Sequence, residues 1–162
     1  MKYLTFFRHA KSSWKYDVSD HERPLKPRGF KDACLVSEQL NNENFTVDLI
    51  VSSSAKRALT TCHIFMDELK LTNTDTMKIT NELYDFSGSQ VVNYIKSLDN
   101  KHINVLIFGH NYAFTSIVNT YGDQYIDNLP TSGVVSIAFD INNWEEIKEG
   151  KTIRTLFPKD LK

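Results

Sequence analysis

Long apolar runs, cysteine and a surplus of either charge are what this sequence of 162 residues has least of. No stretch is apolar for long enough to predict a membrane span, and neither a secretory signal nor a lipidation motif is present, so the expected compartment is the cytoplasm, with no membrane partner. The two cysteines, Cys34 and Cys62, lack CxxC spacing. Both fall at core-facing positions of predicted helices, which predicts buried thiols and argues against a disulfide. With 19 basic and 20 acidic residues the formal net charge is -1. That balance excludes a dedicated nucleic-acid or anionic-membrane binder, and any anion binding must be local. His21, His63 and His102 match no motif and lack metal-ligand spacing, so neither a metal nor another cofactor is expected. No repeat, low-complexity tract or linker interrupts the chain, and its length suits one domain spanning residues 1–162.

What is present is an alternation of strand and helix patterns. Tyr3-Leu4-Thr5-Phe6-Phe7 reads as a buried strand that ends on Arg8-His9. Arg23-Pro24-Leu25-Lys26-Pro27-Arg28-Gly29 makes an extended approach to a helix, whose apolar stripe is read as Phe30, Ala33, Cys34, Ser37 and Leu40. Val47 to Ser52 is a second strand, followed by Ser53-Ser54, where serine can cap a helix carrying Ala58, Leu59, Cys62, Phe65, Met66 and Leu69. Met77 to Thr80 is a weaker strand, and Val91, Val92, Tyr94, Ile95 and Leu98 predict a third helix. Asn104 to Phe108 is the clearest buried strand and exits into Gly109-His110-Asn111. A helix around Phe114, Ile117 and Val118, a strand at Val134 to Phe139 and an edge strand at Thr152 to Phe157 complete the chain. The fold class expected is α/β, in three layers: a mainly parallel sheet with helices on both faces.

Ligands of such sheets bind outside the carboxyl ends of the strands. Three strands here exit into polar clusters: Arg8-His9, the serines leading to Arg57, and Gly109-His110-Asn111. Parallel strands bring all three to one edge. Two histidines, two arginines and a helix N-terminus suit a phosphoryl group: one histidine attacks phosphorus, while the arginines and the other histidine neutralise the non-bridging oxygens.

The ordered set Arg8-His9-Ala10-Lys11-Ser12-Ser13-Trp14, Arg23-Pro24-Leu25 with Arg28-Gly29, Ser52-Ser53 with Arg57-Ala58 and Thr61, Leu83-Tyr84, Gly109-His110-Asn111 and Thr131-Ser132-Gly133 resembles the histidine phosphatase superfamily, and within it the SixA-type phosphohistidine phosphatases. The resemblance implies a phosphoglycerate mutase-like fold, with His9 as the nucleophile that is transiently phosphorylated and Arg8, Arg57 and His110 as the phosphate pocket. It implies Arg23 as a further substrate contact, which a loop-anchoring role would also explain, and brings in Ser13 and Asn111 as substrate-binding neighbours. Glu82 stands near the position of the superfamily's leaving-group acid; Asp85 competes for that role, and a solvated loop carboxylate is the plainer reading. Two positions depart from the pattern: Ala10 replaces a glycine and Tyr112 a proline, both affecting loop shape alone.

The expected activity is hydrolysis of the P–N bond of phosphohistidine, with no metal and with inorganic phosphate as product. The partner would be a phosphorylated protein of histidine-phosphotransfer type. The rivals are a phosphomonoesterase acting on a small phosphorylated metabolite with the same residues, and a module that binds phospho-ligands without turnover.

Overall fold

The protein is described by a computed structural model covering residues 1–72 and 74–162. Six strands form one sheet: β1 (Lys2–Arg8), β2 (Leu49–Ser53), β3 (Met77–Thr80), β4 (Asn104–Gly109), β5 (Val134–Phe139) and β6 (Lys151–Leu156), in the order β3-β2-β4-β1-β5-β6. The first four run parallel, whereas β5 is antiparallel to β1 and β6 to β5. The expected mainly parallel sheet is therefore observed with an antiparallel pair on one side, and β6 is the edge strand anticipated.

Side-chain alternation along these strands builds two cores, one on each face of the sheet. Leu4, Phe6, Leu49, Val51, Val105, Ile107, Val135 and Ile137 face α3 (Ser89–Lys96) and α4 (Ala113–Tyr121). Phe7, Ile50, Leu106, Phe108 and Val134 face α1 (Pro27–Asn42) and α2 (Lys56–Glu68). Phe6 and Phe7 are both fully buried, on opposite faces. At roughly 2–3 kcal/mol for each such ring, they clamp the strand from both sides immediately before Arg8-His9.

The buried side of α1 differs from the predicted stripe. Gly29, Ala33, Val36, Ser37 and Leu40 face inward, while Phe30 is 46% exposed and Cys34 half-buried. The rotation is set at Gly29, which lies so close to the Lys11 backbone that a Cβ there would collide with the Lys11 carbonyl oxygen. Of the two thiols only Cys62 is fully buried, and burial pushes it up to about 12. Nor does a serine cap α2: its N-cap is Ala55, and the hydroxyl of Ser53 instead accepts the Ala55 N–H at 3.2 Å, one residue before the helix. Among the described residues no helix is long and apolar enough to cross a membrane.

Candidate active site

The parallel register puts the ends of β1 and β4 side by side, Arg8 opposite Gly109. The His9 N–H donates to the Gly109 carbonyl at 3.0 Å, so the two strand exits are tied together by backbone. Gly109 is required there, since a Cβ would lie 2.6 Å from the buried ring of Phe114. Because β5 is antiparallel, its amino end reaches the same edge. Arg8 N–H donates to the Gly133 carbonyl at 3.0 Å, and Ser132 N–H, at φ 59°, reaches the carbonyls of Arg8 and His9 at 3.2 Å.

His9 is 7% exposed, and its Nδ1 lies 2.8 Å from the carbonyl oxygen of Ala10. A carbonyl only accepts, so Nδ1 carries the proton and Nε2 keeps its lone pair for a reacting atom. Burial, foremost, holds the ring well below the usual histidine range; neighbouring His110, Arg57 and Arg8 add smaller pushes in the same direction. Desolvation is thus the main cause that keeps His9 neutral, and the arginines assist it. The methyl of Ala10 is accommodated in full burial, packed with Leu25 and Ala33, while its N–H donates to Thr61 Oγ1 at 2.9 Å.

His110 is fully buried, its ring centroid 5.2 Å from that of His9. Burial and then Arg57 bring it down to about 3. Both histidines are therefore neutral at pH 7. The unfolded chain takes up protons on them near pH 6.5 and the native chain does so only at lower pH, so the stability they contribute is present above 6.5 and lost as pH falls, for His110 toward about 3. Urea melts in phosphate-free buffer should show a loss of about 1.4 kcal/mol per pH unit for each such histidine below pH 6.5, and His110→Gln should remove one proton's worth of that slope. An unchanged slope would mean that His110 titrates normally.

Arg57, in the first turn of α2, is almost wholly buried; its Nη1 donates to the backbone carbonyl of Asp20 at 2.6 Å and its Nη2 to Asp20 Oδ2 at 3.0 Å. Arg23 donates from Nη1 to the other carboxylate oxygen of Asp20 at 3.1 Å, and from Nη2 to Ser12 Oγ at 2.5 Å. Its guanidinium carbon lies 3.2 Å from the ring centroid of Trp14, which is 76% exposed. Tyr84 adds a third hydrogen bond to the Asp20 carboxylate, at 2.5 Å. Although burial would raise its carboxyl, donation from Tyr84, Arg57 and Arg23 holds Asp20 well below the usual carboxylate range. Arg8, His9, Ser12, Asp20, Arg23 and Arg57 line a cavity of about 290 Å³.

Four buried polar atoms at this edge find no partner among the described residues: Arg8 Nε, Arg57 Nε, His110 Nδ1 and Ser132 Oγ. Each such group costs about 1–3 kcal/mol unless something bonds to it, and a tetrahedral oxyanion supplies acceptors for N–H donors of this kind. No three histidine, cysteine, aspartate or glutamate side chains gather as a metal site among the described residues.

The structure thus gathers Arg8, His9, Arg23 and Arg57 at the cavity with His110 buried against His9, and directs the polar groups of Ser13, Asn111 and Glu82 elsewhere. Ser13 spends its hydroxyl on the Lys15 N–H at 3.1 Å and offers only its carbonyl, to Arg23, at 3.2 Å. Asn111 accepts from Thr115 Oγ1 at 2.5 Å and donates to Asn128 at 2.6 Å, which makes it a loop brace at the start of α4. Glu82 is exposed in a short 3-10 turn (Asn81–Leu83) that buries Leu83, and its charge is felt by Tyr94. Glu82→Gln is accordingly expected to leave kcat/KM within about twofold on any phosphorylated substrate, as for other surface exchanges. A larger loss would return that carboxylate to the chemistry. Asp85, its competitor, is buried and accepts the N–H groups of Ser87, Gly88, Gln90 and Val91 at 3.0–3.2 Å, so it serves the N-terminus of α3. Asp20 was missed by sequence reasoning; its only signal is an ion-pairing spacing of three residues before Arg23.

Known proteins share this arrangement of chain. The structure of the protein histidine phosphatase SixA complexed with tungstate superposes with a TM-score of 0.83 at 22% identity, covering 99% of each chain. The alpha-ribazole phosphatase from Shigella flexneri gives a TM-score of 0.69 at 17% identity over 96% of each. At these identities the likeness is one of fold. An uncharacterized protein of Mycobacterium tuberculosis is 27% identical over 154 residues, covering 88% of this chain and 92% of its own. The model of the histidine phosphatase superfamily (branch 1) matches residues 4–89, more than half of the chain and the span that holds Arg8, His9, Asp20, Arg23 and Arg57. The chain belongs to the histidine phosphatase superfamily, branch 1.

Proposed function

We propose that this phosphatase cleaves the P–N bond of phosphohistidine on a protein, through a phosphoryl group held transiently on His9. The Nε2 lone pair of His9 attacks phosphorus, the bond from phosphorus to the substrate's ring nitrogen breaks, and the substrate imidazole leaves with a proton on its other nitrogen. Water then attacks the phosphoryl group on His9, releasing inorganic phosphate and restoring the free imidazole. Arg8, Arg57 and His110 hold the non-bridging oxygens, and Arg23, fixed beneath Trp14, serves the substrate at the rim.

The observation that carries this reading over an ester-cleaving one is the state of Asp20. It is the one carboxylate among the residues lining the cavity, and it is held ionised by three donors. An ionised carboxylate has no proton to give a leaving group. Imidazole, whose conjugate acid has a pKa of about 6.5, leaves without help near neutral pH, whereas an alkoxide has basicity near that of hydroxide and gains roughly a hundredfold or more from a positioned acid. The pocket therefore favours P–N over P–O cleavage. The neighbour described as a protein histidine phosphatase supports the same choice, and the one described as an alpha-ribazole phosphatase names the competitor.

A substrate panel tests this directly. The kcat/KM for a phosphohistidine peptide should exceed that for a sugar phosphate or phosphoserine by about a hundredfold, with the same values in the presence of a chelator. Faster hydrolysis of the sugar phosphate would overturn the assignment, and loss of activity with chelator would overturn its metal independence.

A further inference from the structure

The hydrogen bond between Ser53 and His110 has consequences for the chemistry. Ser53 is fully buried at the end of β2, and its Oγ lies 2.8 Å from His110 Nε2. The same Oγ accepts the Ala55 N–H at 3.2 Å. His110 has one ring proton near pH 7, since its titration is displaced to about 3. Two placements of that proton exist, and they use the serine differently.

With the proton on Nε2, Ser53 Oγ would receive two donors, and its own hydroxyl proton would meet no acceptor among the described residues. A buried unpaired hydroxyl costs on the order of 1–3 kcal/mol. With the proton on Nδ1, Ser53 donates to Nε2 and accepts from Ala55, so every polar atom of the serine is satisfied. Nδ1 is then an N–H donor, and it is the ring nitrogen left without a protein partner. The ring cannot easily turn to exchange its two nitrogens, because Tyr84 and Phe86 pack on it with centroids at 5.4 and 5.1 Å and His9 faces it at 5.2 Å.

We propose that Ser53 is a positioning residue: through its hydrogen bond to Nε2 it holds His110 in the Nδ1–H tautomer, so that His110 serves the phosphoryl group as a neutral hydrogen-bond donor. The opposite tautomer would turn a lone pair toward a phosphoryl oxygen and repel it. This deepens the reading of the site given above and rests on it only for the identity of the oxyanion. The device supplies a donor without a second buried charge, so it does not oppose the arginines and does not depend on pH across the neutral range.

The test combines a tautomer measurement with kinetics. In protein labelled with 15N histidine, the shifts near pH 7 should show His110 protonated at Nδ1 and bare at Nε2, the signals being assigned by their loss in His110→Gln. Ser53→Ala should lower kcat/KM and inorganic phosphate affinity by about tenfold or more, as loss of an orienting partner does elsewhere, and Ser53→Thr, which keeps the hydroxyl, should restore most of both. A native His110 protonated at Nε2 overturns the proposal, as does Ser53→Ala with parental kinetics and phosphate affinity. Should the alanine variant fail to fold, the tautomer of the parent protein decides alone. The tautomer and phosphate measurements need no phosphohistidine, so a preference for ester substrates would sink the substrate assignment and leave this inference standing.

Discussion

Replacing His9 with alanine is expected to reduce turnover by at least about a thousandfold while inorganic phosphate still binds. The separation follows from how the site is built. His9 contributes a lone pair at Nε2, fixed in direction because Nδ1 is committed to the carbonyl of Ala10. On the proposed reading, binding rests on other groups: the guanidiniums of Arg8 and Arg57 and the ring of His110. None of them hydrogen-bonds to the His9 side chain, so the truncation leaves them in place. Phosphate affinity measured by calorimetry should change by a few fold at most, and no acid-labile phosphoryl group should form on the variant after exposure to substrate. Retention of more than a few per cent of the parental rate would exclude His9 as the nucleophile.

Arg57→Ala is expected to lower kcat/KM by about 10²–10³ and to weaken phosphate binding with it, and Arg57→Lys should recover little of either. Two losses coincide at this residue. The guanidinium proposed to face the phosphoryl group disappears, and Asp20 loses both the donor to its carboxylate and the donor to its backbone carbonyl. Freed of that neighbour, the Asp20 carboxylate is held by Arg23 and Tyr84 alone. A single ammonium cannot satisfy a carbonyl, a carboxylate and a phosphoryl oxygen in the directions that a planar guanidinium reaches. Asp20→Asn in the Arg57→Ala background should therefore cost much less than Asp20→Asn in the parent, since the first change has already broken most of what the second removes. Additive effects would show that the two residues act separately, and parental kinetics for Arg57→Ala would take the end of β2 out of the site.

Four residues of the cavity edge were legible in the sequence because each follows a recognisable element. Arg8 and His9 close a run of buried apolar residues, His110 follows another, and Arg57 opens a helix after a third. Strand direction does the rest, since parallel strands deliver their carboxyl ends to one side. What the sequence hid has a common physical character. Asp20 opens a single 3-10 turn (Asp20–Glu22) too short to show periodicity, and its partners Arg57 and Tyr84 are 37 and 64 residues away, so only tertiary folding identifies it. Ser13 and Asn111 adjoin motif residues, yet local turns direct their polar atoms to backbone and side-chain neighbours. Glu82 lies beside Leu83, and burying that leucine in a tight turn leaves the carboxylate outside. The inward face of α1 depended on a glycine-to-backbone contact with a loop 18 residues earlier, which no helical periodicity encodes.

The reversed direction of β5 fastens the dipeptide Arg8-His9 from two sides: β4 accepts the His9 amide, and the segment entering β5 both accepts the Arg8 amide and donates to the carbonyls of the pair. These amides lie between fully buried strands on both flanks, so hydrogen exchange at Arg8 and His9 should require global unfolding and be among the slowest in the chain. Residues 14–22 carry far fewer backbone hydrogen bonds and should exchange by local opening. That contrast assigns motion to one partner only. On the proposed mechanism the nucleophile would then stay still, and adjustment to a substrate would fall to the segment that carries Trp14 and Asp20.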